Sequence, residues 1–425
     1  EEVDPGKQRR LASEIPVVPV FDGSRAIAVL GVVMIHVCII SGFLPFRNDS
    51  ALGLLAWGSI GQTLDMLFII SGFVIFLPAV VRGGQFGSKA AFAIRRVARL
   101  FPAYWTVLLI MLVLIAFVPV TPDIPFPSAF DIFLHLTTLE VPAEMFRNVF
   151  FLGFGINRAL WTLFSEVCFY LLLPFVAAWY FRHPFFGLGI AAAVTSIWKL
   201  VFVNLESVSS FLDLGLTPAT IVRLETAAEI QFPAWMFSIA MGMTCAWVFV
   251  HLRNHMEKED LLRKARWVAL VSFLVLCVFV YFAGDISRNA PFLLAPEWAR
   301  HSPIMAIGFT FSLATLMLAI SLCGSRLQRP FANRYASWIA DNSVGIYMIH
   351  MVFISYAAFL LDLPQDGTWR ALAIWSALIF TPTVIYGYCS ARYIERPIRR
   401  RAQRHSRSAS ARYKASHPEL RAGSG

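Results

Sequence analysis

Four ionisable side chains sit inside apolar stretches, and each is of a type that moves protons or pairs with a charge. His36 lies within Ala26 to Phe46, a run of 21 residues that is apolar or small except for His36 itself and Ser41. Asp65 lies in GQTLDMLFIISGFVIF, Glu166 in WTLFSEVCFY and His350 in NSVGIYMIH. Ionisable groups in such segments are expensive to solvate, so they face a bundle interior or a wet cavity and mark function. Four of them on four segments are expected to line one buried polar site. Short connections make the first two runs neighbours, so Asp65 is expected to orient His36, because a buried carboxylate needs a partner. Ser343, Tyr347 and His350 follow i, i+4, i+7 spacing and share one helix face.

Arginines complete the set. Arg25 precedes His36 by eleven residues, which at ~100° per residue is three full turns and leaves both side chains on one face, ~16 Å apart along the axis. In SKAAFAIRRVARLFPAYW, either Arg95 or Arg96 shares a helix face with Arg99. Forked guanidinium groups hold phosphate oxygens in pairs, so this cluster suits a phosphorylated ligand. Membrane proteins also place Arg at such boundaries for topology alone, so the cluster carries weight only together with the rest.

The elements that must position these groups are transmembrane helices. The chain has 425 residues, 58% hydrophobic and only 15% charged, where ~25% charged is usual for a soluble domain. Apolar runs recur at about 25–46, 51–81, 100–120, 158–181, 185–203, 232–251, 267–283, 303–323, 342–362 and 369–393. The expected fold is all-α, a polytopic bundle of about ten transmembrane helices. With the N-terminus inside, the stretches on that side hold 27 Lys and Arg against 7 in the opposite loops, so both termini are expected in the cytoplasm. The first run is too long for a signal-peptide core and no small-residue cleavage site closes it, so a retained anchor in the cell membrane is expected.

Three regions follow: a cytoplasmic segment 1–20, a transmembrane domain 21–395, and a basic, Ser-rich tail 396–425 expected to be disordered and to lie on anionic lipid. The loop 121–157 contains FDIFLHLTTLE, too short to span, and is expected to be interfacial or re-entrant. The loop 204–231 is acidic and reads as a second cap. The mixed charges of 252–266 suggest a solvated helix extension. The net charge of +10 follows the alternating loops, which argues against nucleic acid as a partner. The six cysteines lie singly in apolar runs, so neither disulfides nor a metal site is expected.

FDGSRAIAVLGVVMIH with its Arg-x10-His spacing, G-x3-D-x-L-F-x2-SGF from Gly61 to Phe73, Arg96 and Arg99 in RRVARLFPAYW, WTLFSEVCFY and NSVGIYMIH occur in one order along nearly the whole chain. This ordered set resembles the acyltransferase family 3 integral membrane proteins. Ser24 stands where that family more often has Leu, and no hydrolase-like domain follows the last span, so a two-domain relay in one chain is not expected. The resemblance implies transfer of an acyl group, with acetyl expected, from cytoplasmic acyl-CoA to a hydroxyl of a cell-surface glycan, glycolipid or secreted small molecule. No tightly bound cofactor is implied. His36 would act as base or acyl carrier with its tautomer set by Asp65 or Glu166, His350 is the next candidate, and Arg25, Arg96 and Arg99 would hold the donor.

The competing class is a proton-coupled transporter or flippase, in which the same intramembrane groups relay protons. That class predicts repeat symmetry and broken helices in matching halves, and the sequence shows neither.

Overall fold

Prolines and hydroxyl caps set where the helices start. In the computed structural model, which describes residues 16, 18–43, 59, 63–118, 125–146, 152–288 and 303–416, α1 (Pro19–Ile40) opens on a proline whose missing N–H costs a first turn nothing. After α2 (Thr63–Val81), α3 (Lys89–Phe117) is capped by Ser88, whose hydroxyl accepts from the Ala91 N–H. Ser128 caps α4 (Ala129–Thr137) in the same way, and the single turn α5 (Glu140–Ala143) follows.

Two 3₁₀ turns, Leu152–Gly155 and Arg158–Trp161, lead into α6 (Thr162–Arg182). Proline-led α7 (Pro184–Val203), the short α8 (Leu205–Phe211) and α9 (Pro218–Glu229) precede α10 (Phe232–His255). Then come α11 (Lys258–Arg288), α12 (Pro303–Leu322) and α13 (Ser325–Gln328). The Asn333 side chain accepts two backbone N–H groups to start α14 (Arg334–Leu360). Thr368 starts α15 (Trp369–Cys389), which runs through a π-helical stretch, Ser390–Glu395, into α16 (Arg396–Ser416).

Ten helices among the described residues are long and apolar enough to cross a membrane, as the apolar runs predict. The chain is therefore a multi-pass membrane protein. Large apolar side chains exposed on α6, α7 and α11, such as Leu171, Phe175, Phe186, Ile197 and Phe273, face outward, where a lipid tail rather than water is their natural neighbour.

The bundle is organised on α2, which packs against α10, α1 and α6. A glycine pair makes the closest of these joints. A Cβ at Gly72 would collide with the Ile239 carbonyl of α10, and one at Gly242 with the Ile69 carbonyl of α2. Two bare backbones let the helices touch, the small-residue packing that membranes favour. On the other side of α1, α14 packs against both α1 and α15.

Two expectations need correction. The tail is not disordered from Arg396: residues to Ser416 form α16, which packs along the first turns of α3. Charge alone suggested disorder, but Ser406 and Ala409 are buried, and Ser406 takes a hydrogen bond from Arg95 while donating to the Ala91 carbonyl. The third span also begins earlier than its apolar run, because Ser88 caps a helix whose first turns are polar. The start of the second run, 51–58 and 60–62, and the tail beyond Ser416 lie outside the described residues.

Candidate active site

The arginine cluster and Glu166 meet in one cleft between α1, α2, α3, α6 and α14. Its walls carry Arg25 and Val29 from α1, Ser71 from α2, Arg96 and Arg99 from α3, Glu166 and Tyr170 from α6, and Ser343 and Tyr347 from α14. Leu67, Phe68, Leu100, Leu163 and Met348 supply the apolar remainder. Because α1, α3 and α14 all bring residues from their N-terminal halves, the three helices enter the bundle from the same end. That is the order an alternating bundle requires of spans one, three and nine.

Among the described residues Glu166 is the one carboxylate in the cleft wall. Its Oε1 accepts from the Ser71 hydroxyl at 2.8 Å and its Oε2 from the Tyr170 hydroxyl at 3.2 Å. Arg25 and Arg96 are charged neighbours of Glu166, and Arg96 is stacked between the rings of Phe92 and Tyr170 at 5.2 and 5.5 Å. Arg25 also reaches Asp22 at 3.5 Å. Three guanidinium groups around one carboxylate leave the cleft with excess positive charge. An anion is the natural complement.

Beyond the cleft, along the same faces of α1 and α14, lie the two histidines. His350 Nε2 stands 3.2 Å from His36 Nδ1, with ring centroids 5.1 Å apart. Their partners fix the tautomers. His350 Nδ1 donates to the Tyr347 carbonyl at 2.6 Å, which leaves Nε2 as an acceptor. His36 Nδ1 must then carry the proton, shared between the Val32 carbonyl at 2.8 Å and His350 Nε2. That leaves His36 Nε2 as an unprotonated nitrogen with no hydrogen bond among the described residues.

His36 also lines a second cavity, with Ile39, Gly155, Ile156, Met351, Ser355 and Phe359. Along α14 the cleft takes Ser343 to Met348 and the second cavity takes Met351 to Phe359. Along α1 the cleft takes Arg25 and Val29, and the second cavity takes His36 to Ile40. The histidine pair therefore marks the boundary between two openings. The strap that walls the second cavity is tied to α14, with the Asn157 amide donating to the Met348 carbonyl and the Ser355 hydroxyl to the Ile156 carbonyl.

Of the four intramembrane groups, the structure joins His36 to His350 and sets Glu166 in the adjoining cleft. It separates Asp65. The expectation that Asp65 orients His36 is corrected: its Oδ1 accepts from Ser238 of α10 at 2.6 Å and from Thr310 of α12 at 2.7 Å, with Lys199 as a charged neighbour. The orienting partner of His36 is a second imidazole. Of the three neighbouring arginines, Arg96 and Arg99 face the cleft while Arg95 turns to α16.

Residues beyond the candidate set also hold the site. Tyr170 anchors Glu166 from the next helical turn, a relation readable in the i, i+4 spacing of SEVCFY. Tyr347 donates to the Ala159 carbonyl at 3.0 Å and lies 2.9 Å from the Thr162 hydroxyl, so α14 is fastened to the start of α6. The cap between α3 and α6 has its own buried polar cluster. His135 Nδ1 donates to the Asp131 carbonyl, Nε2 accepts from the Gly153 N–H at 3.0 Å, and the Tyr104 hydroxyl donates to the His135 carbonyl at 2.6 Å. Burial pushes Glu140, beside Tyr104, up to about 8 and holds His135 below the usual imidazole range.

The chain is 27% identical over 401 residues to the peptidoglycan O-acetyltransferase OatA of Listeria monocytogenes, covering 90% of this chain and 56% of that protein. It is 24% identical over 401 residues to the putative peptidoglycan O-acetyltransferase YrhL of Bacillus subtilis, covering 90% of this chain and 55% of that one. The chain thus spans about half the length of the curated relatives it matches. No solved structure matches it. The match to the acyltransferase domain family runs from residue 18 to residue 390 and takes in every helix that builds the cleft and the histidine pair, so the chain belongs to that family.

Proposed function

We propose that this protein is a membrane O-acyltransferase of the cell membrane that takes an acyl group, acetyl by expectation, from acyl-CoA and passes it to a hydroxyl of a cell-surface glycan. The observation that carries the reading is the pairing of an anion-seeking cleft with an oriented imidazole. Arg25, Arg96 and Arg99 offer forked donors to phosphate oxygens, with the Glu166 carboxylate as a counter-charge beside Arg25 and Arg96. The histidine pair sits where the cleft ends and a second opening begins.

His36 Nε2 is the reactive atom in this scheme. As a base it takes the proton of the acceptor hydroxyl while that oxygen attacks the thioester carbonyl; the sulfur departs as thiolate and takes up the proton. As a carrier, Nε2 attacks the carbonyl itself, coenzyme A leaves, and the acceptor oxygen then displaces the imidazole. In both routes positive charge develops on His36. His350 Nε2, 3.2 Å away and held as an acceptor by its bond to Tyr347, is placed to stabilise it.

The names of the relatives make a peptidoglycan hydroxyl the first acceptor to try. Purified protein in lipid should release free thiol from acetyl-CoA and label a glycan fragment when the donor carries labelled acetyl. Passage of an intact donor or glycan through sealed vesicles with no thiol released would instead support a transporter.

A further inference from the structure

The cleft is not the only anion-seeking surface at this end of the bundle. A groove runs between the first turns of α3 and α16, lined by Arg95, Gln403, Ser406, Arg407 and Ser410. Arg95 Nη1 donates to Ser406 at 2.5 Å, which fixes the two helices side by side. The charged neighbours of Arg95 are the guanidinium groups of Arg82 and Arg96. Arg96 belongs to the cleft, so groove and cleft adjoin around one turn of α3.

Charge in this band is poorly balanced by the protein itself. Arg399 of α16 pairs with Glu395 at 3.3 Å, yet its Nε is buried with no hydrogen-bond partner among the described residues, and so is the Nε of Arg96. Buried guanidinium nitrogens without acceptors are costly, and that of Arg96 belongs to the adjoining cleft, where a ligand rich in oxygens would satisfy it.

We propose that the groove between α3 and α16 holds the ribose phosphate of acyl-CoA while its diphosphate meets the arginines of the adjoining cleft, so that α16 forms one wall of the donor site. The proposal rests on the donor reading above. A nucleotide fits better than a lipid headgroup because Arg95 of the groove and Arg96 of the cleft are neighbours: one molecule with a phosphate at one end and a thioester at the other would use both, whereas a headgroup needs only the surface. Gln403 and Ser410 add uncharged hydrogen-bonding groups of the kind a ribose or adenine uses. This wall lies outside the family match, which ends at residue 390.

The test is acetyl-CoA affinity of the full chain in nanodiscs of neutral phosphatidylcholine, for wild type, Arg407→Glu and Arg407→Lys. Arg407 is exposed, so these variants should fold. Arg407→Glu should weaken acetyl-CoA binding about 10- to 100-fold, the loss expected for a charge-assisted contact turned repulsive, and Arg407→Lys should keep most of it. Acetyl-pantetheine, which lacks the nucleotide, should bind wild type and variants alike. Unchanged acetyl-CoA affinity in Arg407→Glu would overturn the proposal. So would an equal loss for acetyl-pantetheine, which would mean a structural role, or an effect seen only when phosphatidylglycerol is added, which would assign the groove to lipid. Wild type that binds no acetyl-CoA would remove the donor reading itself.

Discussion

Glu166 and Asp65 are both carboxylates inside transmembrane helices, and the bundle treats them in opposite ways. Asp65 accepts from two hydroxyls on two helices and stands outside the wall of the arginine-lined cleft. Glu166 also takes two hydroxyls, but it stands in a cleft wall facing Arg25, Arg96 and Arg99. The first is a fastener between α2, α10 and α12. The second is a counter-charge kept in place for a site that needs cations. Being inside a transmembrane helix does not distinguish them; the charges around each carboxylate do.

That contrast can be broken by substitution. Glu166→Gln removes the negative charge beside Arg25 and Arg96 and weakens the bonds from Ser71 and Tyr170, and a hydrogen bond to a charged group is worth about 1.5–3 kcal/mol. A steep drop in the melting temperature of the empty protein is expected, partly restored by saturating acetyl-CoA, whose phosphates supply the missing charge. Next in size, replacing Arg96 and Arg99 together by Lys keeps charge and insertion but loses the fork, and donor affinity should fall about tenfold or more by titration. Undiminished affinity would leave the pair with a purely topological role.

A smaller effect concerns the cap between α3 and α6. Glu140 binds its proton more tightly folded than unfolded, so its contribution to stability is full below the ordinary carboxylate range and is lost as pH rises towards about 8. His135, held neutral by burial, acts with the opposite sign and costs stability as pH falls through the usual imidazole range. Glu140→Gln should therefore raise the melting temperature at pH 8 and change it little at pH 5. The smallest effect is expected at Asp65→Asn, which still accepts from Ser238 and Thr310 and should leave turnover within about twofold, with a stability change near 1 kcal/mol. Loss of turnover there would erase the distinction between fastener and site.

Much of this was legible in the sequence, for physical reasons. Apolar runs of membrane length give the ten spans, and the three-turn relation of Arg25 to His36 needs only the helical period. The pairing of His36 with His350 was not legible, because residues 314 apart in the chain meet only once α1 and α14 pack. Asp65 misled for the same reason: its true partners lie 173 and 245 residues away, while an imidazole on the neighbouring span looked nearer. The helix α16 was hidden by its composition, since an arginine-rich stretch reads as solvated unless the small residues Ser406 and Ala409 are seen to seat against α3.

The central claim is that His36 Nε2, freed by the bonds that tie up the other three imidazole nitrogens' roles, performs the chemistry. The most direct measurement is turnover per folded molecule of His36→Gln, with acetyl-CoA binding as the control. Gln keeps hydrogen-bonding capacity but cannot take the proton or carry the acyl group, so folding and donor binding should stay near wild type while turnover falls by roughly 10² to 10⁴, the worth of a positioned imidazole. A well-folded His36→Gln protein that retains its turnover would contradict the account.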